Sequence, residues 1–382
     1  MVSTILTAAD LRDRARRRAR ADIPEAEFRS RFTALLANVP AGTLRKPAFF
    51  FLPANTSPWF DTGLDCRAGE QVTVFAAGRT YLSRELDLWT GPHLQLWYRI
   101  GENGEVFRGT RCSHTFAATS SGRLFLAHYL PGERATHAGD RAAPADTPSQ
   151  VEGGISVLVL RWAADSLVGL KLLAQLGDVG SLVASEIDRL ENPIPKPEGW
   201  EYLWFVGPSE TYTSVPRAHR GHAIACYTHA DVAILQKDVP LPFAPDTRLR
   251  WSWKMDILPS RFREDDLPTH DYLSLAVEFD NGQDLTYFWS AELPPETAFR
   301  CPIPAWQKGE THVVVHSGQA ELGQWLMEER NLYADYKRWV GEPPAKIVRV
   351  WLIALSLFRR QEGQCEYGNI EFLAGDQVTV VN

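Results

Sequence analysis

Leu249, Trp251, Trp253, Met255 and Ile257 alternate one for one with Arg248, Arg250, Ser252, Lys254 and Asp256. A two-residue period places the apolar set on one face of a strand and the polar set on the other, an arrangement no helix gives. The stretch predicts a half-buried strand whose core side is rich in tryptophan. Leu273, Leu275, Val277 and Phe279 repeat the pattern against Ser274, Glu278 and Asp280, and Asp280-Asn281-Gly282 turns the chain into Leu285-Thr286-Tyr287-Phe288-Trp289, a hairpin signal. Residues 312–316 and 347–355 read as further strands, with a helical segment over 322–339 between them, ended by Gly341 and Pro343-Pro344.

The rest of the chain agrees with this texture. The 13 Trp, 18 Phe and 11 Tyr stand against three Met, and 25 Pro and 27 Gly supply turns, a composition that favours strands over helix bundles. Phe49-Phe50-Phe51, residues 71–75, 94–100, 123–128 and 155–162 are short runs at sandwich-like spacing. The expected fold is mainly β: two β-sandwich, jelly-roll-like domains with a short N-terminal helical arm and a helical linker. The expected boundaries are 1–46 for the arm, 47–163 for the first sandwich, 164–199 for the helical and Pro-rich linker, and 200–382 for a second sandwich with one helix. Within the arm, residues 12–20 hold six Arg against one Asp, a solvated helix or a basic arm for an acidic partner. Residues 132–153 read as a long surface loop or lid.

Charge and cysteine usage exclude several classes. Forty Lys and Arg against 47 Asp and Glu give a net charge of −7, without the positive field that nucleic-acid binding uses. The five cysteines are odd in number and scattered, with no CxxC pair, so neither a disulfide framework nor a zinc knuckle is indicated. No signal-like h-region and no run of about 18 apolar residues occurs. The expectation is a cytoplasmic protein with no membrane or nucleic-acid partner, its oligomeric state open. Phosphate-binding, dinucleotide, zinc-protease and nucleophile-elbow motifs are all missing, so no cofactor and no metal are expected.

The densest polar cluster is Glu264-Asp265-Asp266-Leu267-Pro268-Thr269-His270-Asp271. Neighbouring carboxylates raise one another's pKa, and an imidazole beside them makes an acid/base pair near neutral pH. Asp265, Asp266, His270 and Asp271 are therefore the catalytic candidates, against a bland reading as a solvated loop that caps backbone amides. Arg217-Ala218-His219-Arg220-Gly221-His222 offers Arg217, His219, Arg220 and His222 for an anionic or polar substrate group. Tyr287, Trp289, Trp89 and Trp97 are candidate ring-stacking contacts, with core packing as the alternative. His312 and His316 fall on one face of a strand, roughly 13 Å apart, too far to share a metal.

Two resemblances bear on these readings. Trp59-Phe60-Asp61-Thr62-Gly63-Leu64, Gly69 through Gly78, Arg99-Ile100-Gly101, Gly122-Arg123-Leu124 and Pro131-Gly132 resemble the bacterial galactose-lectin jelly roll over about residues 51–162. That family binds sugar through calcium held by carboxylate and carboxamide side chains. This chain has His128-Tyr129 and Thr136-His137 at those positions, and Tyr129 and His137 cannot replace the hard oxygen donors calcium needs. The resemblance implies the fold, and the departure removes the calcium ligands. Residues from about 212 to 372 are similar to the bacterial domain of unknown function 3047, through Arg250-Trp251-Ser252-Trp253, Tyr287-Phe288-Trp289-Ser290, Gly323-Gln324-Trp325, Arg330-Asn331 and Tyr367-Gly368-Asn369-Ile370. That resemblance brings no activity with it.

The functional expectation is a cofactor-independent acid/base enzyme, a lyase, isomerase, cyclase or hydrolase. Its substrate would be a small organic molecule, with aromatic and glycosylated compounds among the options, held in a cleft of the second domain or between domains. The alternative is a non-catalytic carbohydrate-binding or recognition protein whose partner is a glycan.

Overall fold

The computed structural model describes residues 6–18, 22–54, 59–128, 151–217 and 221–382. Residues 132–150 of the expected lid, the lectin-loop positions Tyr129, Thr136 and His137, and the candidate residues His219 and Arg220 lie outside them; the lid's last residues enter the strand Glu152–Arg161. The chain forms two compact units, one of Arg17–Ile194 with Trp204–Ser209, the other of Met1–Arg16, Pro195–Leu203 and Glu210–Asn382. Both are built on pairs of β-sheets, as the alternation predicts.

In the first unit, Ala48–Pro53, Glu152–Arg161, Gln71–Ser83 and Leu88–Thr90 run side by side, with Ser113–Ala117 also pairing with Gln71–Ser83. The second sheet has the order Phe60–Cys66, Gly122–His128, Leu96–Ile100, Phe107–Arg108. Val72, Val74, Leu124, Leu126, Val157 and Val159 belong to one core cluster. Leu158, Leu160 and Phe75 belong to another, which they share with Phe32, Leu170 and Leu182 from three helices, Glu25–Leu36, Ser166–Leu176 and Leu182–Glu191. The strand Glu152–Arg161 is thus buried on both faces, which is why 157–160 is a continuous apolar run rather than an alternating one.

The helices of the expected arm and linker pack against the sheets. The apolar stripes of the helices after Trp162 cover the sheet and add Leu170, Leu173, Leu182 and Val183 to the core. The arm also divides. Glu25–Leu36 packs on the first unit, while in Ala8–Arg17 Leu11 is fully buried and Arg16 pairs with Glu362 in the second unit.

In the second unit, a seven-stranded sheet runs Glu201–Tyr202, Val232–Pro242, Lys346–Leu355, Tyr272–Phe279, Asp284–Ser290, Glu310–Ser317, Ala298–Arg300. Neighbours are antiparallel except Asp284–Ser290 and Glu310–Ser317, which are parallel. A six-stranded sheet has the path Tyr212–Arg217, Gly221–His229, Glu362–Ala374, Arg248–Ile257, Trp325–Asn331, with Gln377–Val380 added to Glu362–Ala374. Leu249, Trp251, Trp253 and Met255 are fully buried and pack with Leu273, Leu275, Tyr287 and Trp289. The predicted apolar faces therefore form one core.

Two local expectations change. The helical segment expected over 322–339 is a strand, Trp325–Asn331, followed by a helix restricted to Leu332–Trp339. The first half is recruited by pairing with Arg248–Ile257, where Arg250 faces Glu329 and Ser252 faces Met327. His312 and His316 do not share a face. An extra residue where Phe288 pairs with Val314 and Trp289 with His316 shifts the register, and the His316 ring stacks on core Trp289 at 4.8 Å.

Candidate functional site

The 264–271 segment precedes the strand Tyr272–Phe279 and divides its polar groups among separate tasks. The Asp265 carboxylate is bound by both arms of the Arg263 guanidinium, which holds it below the usual carboxylate range. Asp266 is exposed. Asp271 is fully buried and accepts from the amides of Phe358 at 2.9 Å and Arg359 at 2.6 Å, while burial pushes its carboxyl up to about 7. Glu264 is buried as well, accepts from the Ala291 amide at 2.7 Å and from the Ser290 hydroxyl, and is also raised by burial to about 7. These two carboxyls tie the segment to its neighbours, the backbone-capping role given as the alternative above.

His270 is fully buried, and burial lowers its pKa to about 3, so it is a neutral imidazole at physiological pH. It belongs to a polar layer on the side of the seven-stranded sheet opposite the tryptophan core. Thr286 pairs with His312 and Asp284 with Glu310 across the parallel strands, and all four are buried. Burial and the Glu310 charge hold the Asp284 carboxyl far above its usual range. Among the described residues, His270, Cys301 and His312 form the one group of His, Cys, Asp or Glu side chains with the placement of metal ligands. The sequence singled out His270, and weighed His312 only with His316; Cys301 and the grouping were missed, because no motif links three donors so far apart in the chain.

A different assembly occupies the side of the six-stranded sheet turned away from the tryptophan core, the side where Arg12 and Arg16 reach Gln364 and Glu362. Arg217 reaches from Tyr212–Arg217 across Gly368, where any side chain would run into its guanidinium. It donates to Ser252 Oγ at 3.2 Å and lies 3.3 Å over the half-buried Trp325 ring. Ser252 Oγ in turn donates to the Gly368 carbonyl at 2.8 Å. Met327, beside Ser252 on the edge strand, is 58% exposed. Lys254 pairs with Glu366 at 2.7 Å, and Arg248 and Arg250 pair with Glu329. The result is an aromatic and guanidinium platform bordered by fixed charges, built from the wet side of the strand whose alternation is clearest.

The other candidates fall elsewhere. Tyr287 and Trp289 are buried in the core, where the Tyr287 hydroxyl donates to Asp335 at 2.8 Å and Trp289 Nε1 to the Gly318 carbonyl at 2.9 Å. They are core residues and do not form an accessible ligand wall. His222 is exposed at the start of Gly221–His229. In the first unit, Trp97 is 3% exposed and packs with Val106 and Ala127, so it too serves the core. Trp89 is half-buried with the Arg79 guanidinium 4.3 Å over its ring.

Residues 198–371 match the family model described as "Protein of unknown function (DUF3047)". The matched stretch covers the seven-stranded sheet and all of the six-stranded one up to residue 371, including Arg217, Trp325 and the polar layer. No curated protein matches the chain. Among solved structures, the N-terminal domain of EclA, a PllA-like lectin, is similar at 20% identity and a TM-score of 0.24, over 31% of this chain and 98% of that one. The xyloglucanase domain of NopAA from Sinorhizobium fredii is similar at 5% identity and 0.28, over 48% and 93%. A carbohydrate-binding module of the β-sandwich superfamily is similar at 10% and 0.23, over 88% and 100%. Likenesses at these scores do not say what this chain binds.

Proposed function

We propose that the protein is a non-catalytic carbohydrate-recognition protein whose DUF3047-like region presents a sugar-binding platform on the outer side of its six-stranded sheet. The observation that carries this reading is Trp325, a half-buried indole on the outer sheet face with the Arg217 guanidinium lying over one side of its ring. A flat aromatic surface receives the C–H face of a pyranose, and fixed guanidinium, ammonium and carboxylate groups at its border bind hydroxyls. Acid/base chemistry on the 264–271 segment has less support. There, one carboxylate is neutralised by Arg263, two cap backbone amides, and the imidazole is buried.

Glycan-array and titration measurements on the full chain test the proposal. Trp325→Ala should weaken binding roughly ten- to a hundredfold, the cost of losing one stacking aromatic, whereas Trp325→Phe should retain most of it. Binding that is unaffected by Trp325→Ala in a folded protein, or absent for every glycan presented, would refute the platform.

A further inference from the structure

We propose that His270, Cys301, His312 and Glu310 form a structural transition-metal site, suited to zinc, inside the DUF3047-like region. The four residues are nearly or fully buried, and the donor atoms of His270, Cys301 and His312 lie within 4.8 Å of one another.

Each donor is already oriented. His270 Nδ1 donates to the Glu264 carbonyl at 2.5 Å, which leaves Nε2 as the lone-pair nitrogen, 3.5 Å from Cys301 Sγ. A backbone carbonyl on the far nitrogen is the usual outer-sphere partner of a metal-binding histidine. Phe299 lies parallel to the His312 ring at 5.1 Å, and His270 meets it edge-on at 4.8 Å. Neither His312 nitrogen makes a hydrogen bond, although the ring is fully buried. Its Nε2 is 3.3 Å from Glu310 Oε1, which also accepts from the Tyr272 hydroxyl at 3.0 Å. A buried imidazole nitrogen without a partner, as His312 Nδ1 is, costs free energy, and a metal–imidazole bond would offset that cost.

Distances and charge agree. In a tetrahedral zinc site with Zn–S near 2.3 Å and Zn–N or Zn–O near 2.0–2.1 Å, adjacent donor atoms are about 3.3–3.6 Å apart. The sulfur–nitrogen separation of 3.5 Å and the nitrogen–oxygen separation of 3.3 Å fall in that range. A divalent cation with one thiolate, one carboxylate and two neutral imidazoles has no net charge, the condition under which such groups are tolerated in a dry interior. Binding releases the Cys301 thiol proton to solvent, with no change of oxidation state. Four protein donors fill the coordination shell, so the role is to fasten segments together, not to activate water. The ligands come from the 264–271 segment, the turn after Ala298–Arg300 and the strand Glu310–Ser317, so the ion would pin both covering segments to the sheet.

The test is metal analysis of the full-length protein, purified without chelator or affinity metal, followed by chelation and titration with Zn2+ and Co2+. The expected result is about one zinc per chain, a cobalt complex with a thiolate-to-metal charge-transfer band and intense tetrahedral d–d bands, and a higher Tm on reloading. Cys301→Ser should abolish the charge-transfer band, and His312→Ala should weaken binding roughly tenfold or more. Cys66→Ser, in the other unit, should change neither. Should the ligand variants fail to fold, alkylation protection of Cys301 by Co2+ in the wild-type chain reads the same contact. A wild-type chain that takes up no stoichiometric metal, or that binds cobalt without the thiolate band, would overturn the proposal. So would a folded Cys301→Ser variant that keeps full affinity.

Discussion

Gly169 shows how narrowly single residues are constrained in the first unit. It sits in the helix Ser166–Leu176 against Trp162, and a Cβ there would enter the indole ring. Helix propensity favours alanine over glycine by up to about 1 kcal/mol, but the overlap reverses the sign. Gly169→Ala should destabilise this unit by about 1–3 kcal/mol, seen as a lower urea midpoint with an unchanged slope. Glu186 is the complementary polar case. It is fully buried, accepts from the Thr115 amide at 2.6 Å and Ser113 Oγ at 2.7 Å, and is paired with Arg189. Burial works to raise its carboxyl, yet Arg189 and the hydrogen bonds hold it below the usual range. Glu186→Ala strands Arg189 and a buried amide and should cost about 3–5 kcal/mol in denaturant titration. Glu186→Gln, which keeps the acceptor for Thr115, should cost less. In sequence, Glu186 looks like any solvated helical glutamate; only its neighbours give it this role.

At the level of elements, the strands were legible and some of their borders were not. Arg248–Ile257 and Tyr272–Phe279 follow their alternation because each has one face in the core and one toward polar groups. The 325–331 stretch misled because Trp325, Leu326 and Met327 do not alternate cleanly, and what makes it a strand is the free edge of Arg248–Ile257. Asn331 marks the true helix start, its side chain accepting from the Ala334 amide at 2.9 Å. Asn331→Ala should cost about 1 kcal/mol, measured by thermal denaturation, with faster amide exchange confined to Leu332–Trp339. A cost near zero would mean that packing of Leu332 and Tyr336 alone holds the helix. The candidate platform was partly legible: Arg217 and Trp325 were visible as an anion contact and an aromatic, but not as partners, since they stand on opposite edges of one sheet.

Across the whole molecule, buried histidines link stability to pH. His128 is 4% exposed, hydrogen-bonded to Thr80 Oγ1 at 2.6 Å, and burial lowers its pKa to about 4; burial lowers His114 to about 4 as well. In the unfolded chain both titrate near 6.5. Between those values the unfolded state binds protons that the folded state refuses, so stability rises with pH across the window and falls as pH drops from about 6.5 to 4. For His128 the loss by pH 4 should approach roughly 3 kcal/mol. Hydrogen exchange at pH 7 and pH 5, corrected for intrinsic rates, should show protection falling in Gly122–His128 and Glu152–Arg161. A pH-independent opening free energy there would contradict the assignment.

What the sequence determined by itself was local: strand periodicity, turn residues, capping residues, and hence two mainly β units with an aromatic core. Those features depend on neighbours a few residues apart, which share a backbone geometry whatever the rest of the chain does. What the tertiary structure decided was non-local. It packed the helices of the arm and linker against the sheets, placed His316 on the opposite face from His312 through one extra residue, and set Arg217 over Trp325. It also gathered His270, Cys301, Glu310 and His312 into one dry cluster. The parallel pairing of Asp284–Ser290 with Glu310–Ser317 requires a long crossover. That crossover, which no local pattern encodes, carries Cys301 to the imidazoles.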